Sequence, residues 1–232
     1  MVDVVQPFTG SIILAQTAAG PDYEAMLEAT QDRHRAYCAA NAIEFWSFTG
    51  LRRGLYPWQA TFNRIAMLAD KLREGWTGWF LYLDADAVIR QRDFDIRRYL
   101  GKRGHHALIA GPGGEGDWNV NAGVFFLNLE HPNGREIARR WIELVGLTVT
   151  DQMLADADMP WKPLPDGRPF PDDQHLLQVV LLRDEGLCSD VLIERGPLLN
   201  YRSGRFIRQF IREHGTPAQR LDMMKESLDS AE

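Results

Sequence analysis

Residues 79–89 read Trp-Phe-Leu-Tyr-Leu-Asp-Ala-Asp-Ala-Val-Ile, five large apolar side chains followed by two aspartates spaced i, i+2. An uncharged run of this length predicts a strand that is buried on both faces, as in a parallel sheet. Because side chains alternate along a strand, Asp84 and Asp86 can both point to one side of its end, and the small Ala85 leaves space between them. Parallel sheets bind ligands at their carboxyl edge, and two carboxylates there suit a divalent cation that prefers oxygen.

The same two aspartates also have a plainer interpretation. Aspartates commonly follow strands, where their carboxylates accept hydrogen bonds from nearby backbone amides in a turn. Asp84-Ala-Asp86 alone leaves both interpretations open, so the choice between a turn and a metal site depends on the rest of the chain.

The flanking sequence alternates between two periodicities, which predicts alternating strands and helices. Apolar runs of strand type cover 11–17, 43–48, 107–110, 119–129 and 191–194, in addition to the run at Trp79. Helical spacing begins at Tyr23 and recurs over 58–73, 95–100, 134–145 and 173–183, and a long loop is expected over 150–172. Strand–helix–strand units favour a parallel sheet. We therefore predict an α/β fold, a single Rossmann-like domain over 1–200 with a mostly parallel central sheet flanked by helices, and a C-terminal helical tail over 201–232.

The composition narrows the class of function. The formal net charge is -6, which argues against general nucleic-acid binding through a basic surface. With only two cysteines, the chain has no disulfide framework, which favours a reducing compartment. The N-terminal residues lack the pattern of a signal peptide, and no apolar run is long enough to span a bilayer. We expect a cytoplasmic protein that is soluble or associates peripherally with a membrane.

Two further polar motifs lie beside predicted elements. Asn121-Ala122-Gly123 precedes a strand, where the glycine allows a ligand to approach the backbone and the asparagine amide can bind sugar hydroxyls. Asp172-Asp173-Gln174 opens a helix. Each motif also has a structural interpretation, because Asn-Ala-Gly is typical of turns and acidic residues favour helix N-termini.

In their order along the chain, these motifs resemble those of GT-A glycosyltransferases. The resemblance covers roughly residues 11 to 183 and is carried by Leu81-Tyr-Leu-Asp-Ala-Asp-Ala-Val-Ile89, Asn121-Ala-Gly-Val-Phe-Phe-Leu-Asn-Leu129 and Asp173-Gln174. It is strongest to the fungal galactosyl/mannosyltransferase and plant xyloglucan xylosyltransferase family, and glycogenin-like enzymes share the motif order. The resemblance implies that the predicted domain is a GT-A domain.

The resemblance also implies roles for individual residues. Asp84 and Asp86 would hold Mn²⁺ or Mg²⁺ on the donor diphosphate, which leaves only when its charge is neutralised. Relatives often carry a basic residue on the helix before this strand, here Arg64, and a third metal ligand near the C-terminus, for which His214 is the candidate. Asp173 is the candidate catalytic stabiliser or nucleophile, with Gln174 as a second catalytic contact. Donor contacts are expected from Thr17, Arg64, Asp84, Ala85, Asn121, Ala122 and Gly123.

The expected activity is transfer of a hexose or pentose from a nucleotide sugar, with UDP favoured, GDP open and anomeric configuration retained. The acceptor is expected to be a glycan, glycolipid or polysaccharide. Two alternatives remain. A haloacid-dehalogenase-like phosphatase also has an apolar strand ending in Asp-x-Asp, although such enzymes usually carry it near the N-terminus and need a later lysine. The other alternative is a nucleotide-sugar-binding module without turnover.

The predicted tail contains a basic segment, Arg202–Arg212, with apolar residues between its arginines. In a helix, Arg205, Arg208 and Arg212 would share one face, which could attract a diphosphate, an anionic acceptor or an anionic membrane surface. The plainer alternative is a helix docked by its apolar face with the arginines in solvent. Trp118 and Trp161 are further candidates for stacking on a sugar ring or base.

Overall fold

The computed structural model describes residues 6–159, 163, 167–196, 198–199 and 203–230. Its strands are β1 (Ile12–Ala18), β2 (Glu44–Thr49), β3 (Trp79–Asp84), β4 (Ala87–Ile89), β5 (Leu108–Pro112), β6 (Val120–Asn128), β7 (Val191–Ile193) and β8 (Ile207–Gln209). Its α-helices are α1 (Pro21–Ala40), α2 (Asn63–Arg73), α3 (Ile96–Gly101), α4 (Pro132–Thr148), α5 (Asp151–Asp156), α6 (Asp173–Leu182), α7 (Glu185–Cys188) and α8 (Pro217–Asp229). Short 3-10 helices cover Pro57–Phe62 and Arg212–His214. Two candidate contacts from the sequence, Trp161 and Arg202, lie outside the described residues.

Six strands form the central sheet, in the order β2-β1-β3-β6-β5-β7. β1 pairs in parallel with β2 and β3, and β5 pairs in parallel with β7. β6 is antiparallel to both of its neighbours, β3 and β5. The prediction of a mostly parallel central sheet flanked by helices is confirmed. Because β6 runs against β3, the first residues of β6 lie at the edge where β3 ends.

β3 lies inside this sheet and is buried on both faces, as its uncharged sequence predicts. Each side chain from Trp79 to Leu83 is at most 1 % exposed. Phe80 and Tyr82 belong to the core on one face of the sheet, with residues of α2, α4 and α6, whereas Trp79, Leu81 and Leu83 belong to the core on the other face. Burial of a large apolar side chain contributes roughly 1.5–3 kcal/mol to folding, so this strand anchors both layers.

Several helices follow the predicted pattern, with local differences. α1 buries Met26, Leu27, Thr30, His34 and Tyr37, the residues that its helical spacing places on one face. The helix predicted over 58–73 begins as a 3-10 helix and becomes α-helical only at Asn63. The loop predicted over 150–172 contains the short helix α5. Within the described part of the chain, no helix is long and apolar enough to cross a bilayer.

The predicted C-terminal helix is present as α8, but the first part of the predicted helical tail differs. Residues 207–209 form β8, which pairs antiparallel with β4, and a long helix begins only at Pro217. The physical reason is the edge of β4, whose unpaired backbone groups accept a partner strand that local spacing cannot reveal. Ile207 and Gln209 are consequently buried, and Arg208 between them is only partly buried. The predicted helical face of arginines therefore does not form.

A buried histidine ties α1 to β1 and β4. The Nδ1 atom of His34 lies 2.9 Å from Oε1 of Gln16, and the backbone N–H of Ile89 donates to Nε2 of His34 at 3.0 Å. Nε2 is therefore an acceptor and Nδ1 the donor, which describes a neutral ring. Burial lowers the pKa of His34 to about 3, with a smaller contribution from Arg33.

This depressed pKa predicts a specific dependence of stability on pH. The His34 contribution is fully present above the pKa of about 6.5 in the unfolded chain and is lost as the pH falls towards the folded value, because only the unfolded state then takes up the proton. Replacing His34 by Gln removes this proton uptake. We expect the free energy of unfolding to fall by about 2 kcal/mol more in the wild type than in His34→Gln between about pH 8 and about pH 5. Urea denaturation at each pH measures the free energy of unfolding. If this free energy changes equally with pH in the two proteins, His34 does not have this role.

Candidate active site

The carboxyl edge of β3 collects most of the site residues predicted from the sequence. Thr17 of β1 is paired with Asp84 at the end of β3, and the antiparallel register of Leu83 with Val124 brings Gly123 alongside. A pocket of about 320 Å³ opens at this edge, within the range typical of small-molecule sites. Of the predicted residues, its walls contain Thr17, Arg64, Asp84, Ala85, Asp86, Asn121, Gly123 and Gln174.

Asp84 and Asp86 direct one carboxylate oxygen each towards the same atom. Nε2 of Gln209 donates to Oδ2 of Asp84 at 3.1 Å and to Oδ1 of Asp86 at 3.2 Å. The other oxygen of each carboxylate is held by an arginine. Nη2 of Arg64 lies 2.6 Å from Oδ1 of Asp84, and Nη1 of Arg220 lies 2.8 Å from Oδ2 of Asp86. The arginines therefore hold one oxygen of each carboxylate, and the other two oxygens converge on Nε2 of Gln209.

The electrostatics of this pair favour a cation at the point of convergence. Burial raises the pKa of Asp86 to about 7, and the neighbouring Asp84 carboxylate adds to that rise, while Arg220 opposes it. Burial also raises the pKa of Asp84 against the lowering effect of Arg64. The arginines thus leave part of the negative charge uncompensated, and added positive charge at the shared point would stabilise both ionised forms.

Arg64 joins three parts of the site. Its guanidinium lies 4.2 Å from the centre of the Tyr82 ring and donates to the backbone oxygens of Ala122 and Thr61. Besides Asp84, it meets Asp173, with its Nε 3.2 Å from Oδ2 of that carboxylate. Because the arginine is only 3 % exposed, these contacts fix the end of β3 relative to the start of β6 and of α6.

The two predicted catalytic residues occupy different positions. Asp173, the first residue of α6, is 3 % exposed and faces Arg64 and the hydroxyl of Thr61, which donates to its Oδ1. Burial raises the pKa of Asp173 to about 6, and Arg64 opposes this rise. Gln174 lies at the pocket wall, and its Oε1 accepts the backbone N–H of Ala122 at 2.9 Å. Gln174 is thus accessible from the pocket, whereas Asp173 lies behind Arg64.

The packing at this edge of the sheet leaves no space for a side chain at Gly123. A Cβ atom on this residue would lie 2.7 Å from Oδ2 of Asp84 and closer still to the amide nitrogen of Gln209. The backbone N–H of Gly123 donates to Oδ1 of Asn121 at 2.7 Å, which orients the asparagine at the pocket wall. The small residue therefore allows the strand to pack directly against the two aspartates.

The C-terminal segment supplies contacts that the sequence did not indicate. Gln209 comes from β8 and Arg220 from α8, and Arg220 is 2 % exposed. The signal in the sequence was weak, because a glutamine in an apolar run and an arginine in an amphipathic helix are both usually found at a surface. Tyr23 links α1 to the same segment, since its hydroxyl accepts from Nη2 of Arg220 and Nε of Arg212, each at 3.2 Å.

His214 takes a different position from the one expected of a third metal ligand. It ends the short 3-10 helix after β8, and its ring lies 6.4 Å from the ring of Phe210. Throughout the described ranges, no group of three or more His, Cys, Asp and Glu side chains is placed to hold a metal ion. His214 is therefore not gathered with Asp84 and Asp86.

The donor atoms at the shared point nevertheless fit a divalent cation. Asp84 and Asp86 provide two carboxylate oxygens, and the side-chain amide of Gln209 lies between them. The nitrogen of that amide faces the carboxylates, while its Oε1 is buried and has no hydrogen-bond partner among the described residues, so no contact of the oxygen holds the amide in this orientation. Carboxylate and amide oxygens are the ligands that Mg²⁺ and Mn²⁺ prefer.

The fold is similar to that of a solved glycosyltransferase. A crystal structure described as a glycosyltransferase involved in the glycosylation of the major capsid of PBCV-1 superposes with a TM-score of 0.64 at 15% identity, covering 93% of this chain and 99% of that one. A structure of A197 from STIV matches 56% of this chain and 68% of its own at 12% identity, but its TM-score of 0.36 is too low to support an argument. No protein-family model and no curated protein matches the sequence. The superposition on the PBCV-1 glycosyltransferase shows that the two chains share a fold.

The packing at Gly123 predicts a local effect of a single methyl group. Gly123→Ala must displace the Gln209 amide or the Asp84 carboxylate, so we expect binding of Mn²⁺ to weaken while the sheet remains folded. Gly146→Ala in α4 is the matched control, because nothing lies within 4 Å of the position of its Cβ. We expect the control to be neutral or to stabilise by up to about 1 kcal/mol. Titration calorimetry with Mn²⁺ and thermal unfolding measure the two effects, and equal Mn²⁺ affinities for both variants would refute the packing argument.

The buried pair of Asp86 and Arg220 predicts a large cost of removing one partner. Arg220→Met leaves an unpaired buried carboxylate, and we expect the free energy of unfolding to drop by about 3–5 kcal/mol. Adding Asp86→Asn to that variant should restore much of the loss, because no unpaired charge remains. The exposed pair of Arg195 and Asp117, 3.0 Å apart, is the control, and Arg195→Met should cost about 1 kcal/mol or less. Similar losses at Arg220 and Arg195 in chemical denaturation would show that burial of the pair is unimportant.

Proposed function

We propose that the protein is a metal-dependent glycosyltransferase that moves a hexose or pentose from a nucleotide sugar to a glycan, glycolipid or polysaccharide. The observation that carries this proposal is the convergence of Asp84 and Asp86 on one point at the edge of the sheet. UDP is the favoured nucleotide and GDP the alternative, and we propose retention of anomeric configuration. The likeness of the fold to a glycosyltransferase supports the same assignment.

Asp84 and Asp86 would hold Mn²⁺ or Mg²⁺ at that point, with the Gln209 amide beside them. When bound, such an ion provides Lewis-acid stabilisation of a departing diphosphate. The chain supplies further positive charge, because Arg212 also lines the pocket and acts electrostatically on both aspartates. We assign to Arg212 the attraction of the diphosphate and to Arg64 the orientation of Asp84.

The part of the pocket wall formed by the start of β6 and of α6 suits a sugar. Asn121 and Gln174 present side-chain amides there, and an amide can both donate to and accept from hydroxyl groups. Because Asp173 lies behind Arg64, we assign it the role of positioning that arginine, and we place the contact with the reacting sugar at Gln174.

Aromatic residues at the pocket wall suggest which acceptors to test. Trp58 and Tyr23 line the pocket together with Pro57, and aromatic faces of this kind pack on sugar rings. The PBCV-1 enzyme is described as acting in glycosylation of a capsid protein. Protein-linked glycans therefore belong in the acceptor panel beside free oligosaccharides and glycolipids.

The direct test is a panel of UDP- and GDP-sugars with and without Mn²⁺, read by thermal shift and by release of the nucleoside diphosphate. We expect one donor class to raise the melting temperature only with metal, and Asp84→Asn to lower turnover by at least about 100-fold. Asp93→Asn is the charge-matched control, because Asp93 is an exposed aspartate outside the pocket.

Three outcomes would contradict the proposal. If no nucleotide sugar shifts the melting temperature with metal, the protein does not use such a donor. Rapid hydrolysis of simple phosphate esters that depends on Asp84 would indicate a phosphatase. Tight donor binding without transfer or hydrolysis, across all acceptors, would indicate a binding module.

A further inference from the structure

Gln209 is a buried polar residue that sits between the two aspartates. Register pairing with Ala87 in β4 places it next to the turn that carries Asp86, and it is only 3 % exposed. Its Nε2 atom bridges the two carboxylates at 3.1 and 3.2 Å. Its Oε1 atom is buried without a hydrogen-bond partner in the described part of the chain. A buried acceptor left unpaired is unfavourable, so a partner for this oxygen is expected when the site is occupied.

The amide can present either atom to the aspartates. A half-turn about the last side-chain bond exchanges the oxygen and nitrogen of a glutamine with little displacement of the rest of the residue. The exchange would place three oxygens around one point. Carboxylate oxygens attract an amide nitrogen and repel an amide oxygen, which is why Nε2 faces the two carboxylates. With a divalent cation, the same three oxygens attract it.

The surroundings support this geometry. Arg64 and Arg220 each hold the outer oxygen of one aspartate, so the inner oxygens keep their direction when the bridging nitrogen turns away. Such outer contacts are the usual means by which proteins orient metal ligands. The missing side chain of Gly123 provides the space in which the glutamine amide lies.

We propose that Oε1 of Gln209 is the third protein ligand of the divalent cation, with Oδ2 of Asp84 and Oδ1 of Asp86. The assignment rests on the proposed function, because the remaining positions of the ion would be filled by diphosphate oxygens and water. It replaces His214, which the structure does not gather with the two aspartates. The protein part of the metal site is then composed of oxygen alone.

The first test measures the Mn²⁺ dissociation constant by titration with electron paramagnetic resonance, with and without UDP. Gln209→Leu should weaken Mn²⁺ binding at least tenfold, and Gln209→Glu, which keeps an oxygen at the same reach, should restore it. His214→Gln should change the dissociation constant less than twofold. Circular dichroism and thermal unfolding confirm that each variant is folded. An effect at His214 as large as that at Gln209, or full affinity in Gln209→Leu, would overturn the assignment.

The second test reads the identity of the ligands by pulsed electron paramagnetic resonance of the Mn²⁺-loaded protein. We expect no modulation from a directly coordinated nitrogen, and a strong ¹⁴N signal typical of imidazole would overturn the assignment. Coupling to ³¹P should appear on addition of UDP.

The two tests separate the inference from the function on which it rests. Loss of Mn²⁺ affinity in Gln209→Leu without any ³¹P coupling would keep the ligand assignment and contradict the nucleotide-sugar proposal. ³¹P coupling with unchanged Mn²⁺ affinity in Gln209→Leu would support the nucleotide-sugar proposal and contradict the ligand assignment.

Discussion

Two carboxylates at the edge of a sheet, that of Asp86 buried and that of Asp84 partly buried, impose the main constraint on this structure, because negative charge removed from water requires nearby positive charge. Asp84 and Asp86 obtain it from different parts of the chain. Arg64 comes from α2, which immediately precedes β3, and Arg220 comes from α8. The positions of both helices against the sheet are therefore coupled to the charge of the site.

The same constraint accounts for the chemistry of the pocket. Each arginine uses only one oxygen of its aspartate, so the second oxygen remains directed inwards. Since burial still raises the pKa values of both groups, compensation by the protein alone is incomplete. Stability and the proposed function are thus linked at one place, where the folded chain keeps an electrostatic cost that the proposed cation would relieve. Functional sites commonly retain such a cost.

The sequence was sufficient for those features that depend on neighbours along the chain. The apolar run before Asp84 specified a doubly buried strand, and the spacing from Met26 to Tyr37 specified one face of α1. Arg64 was a candidate only through the family resemblance, which implies a basic residue on the helix before β3. The C-terminal helix was predicted, but the strand before it was not, since Phe206, Ile207 and Phe210 fit a helical period as well as a strand. Only the edge of β4, a partner distant in sequence, selects the strand.

The pairing of β8 with β4 also has a kinetic consequence. Gln209 and Asp86 are 123 positions apart in the chain, so bringing them together closes a long loop, which costs conformational entropy and slows folding. The central sheet, with shorter connections between β1, β2 and β3, can assemble first. Completion of the candidate metal site therefore requires the docking of β8, the last strand of the described chain, against β4.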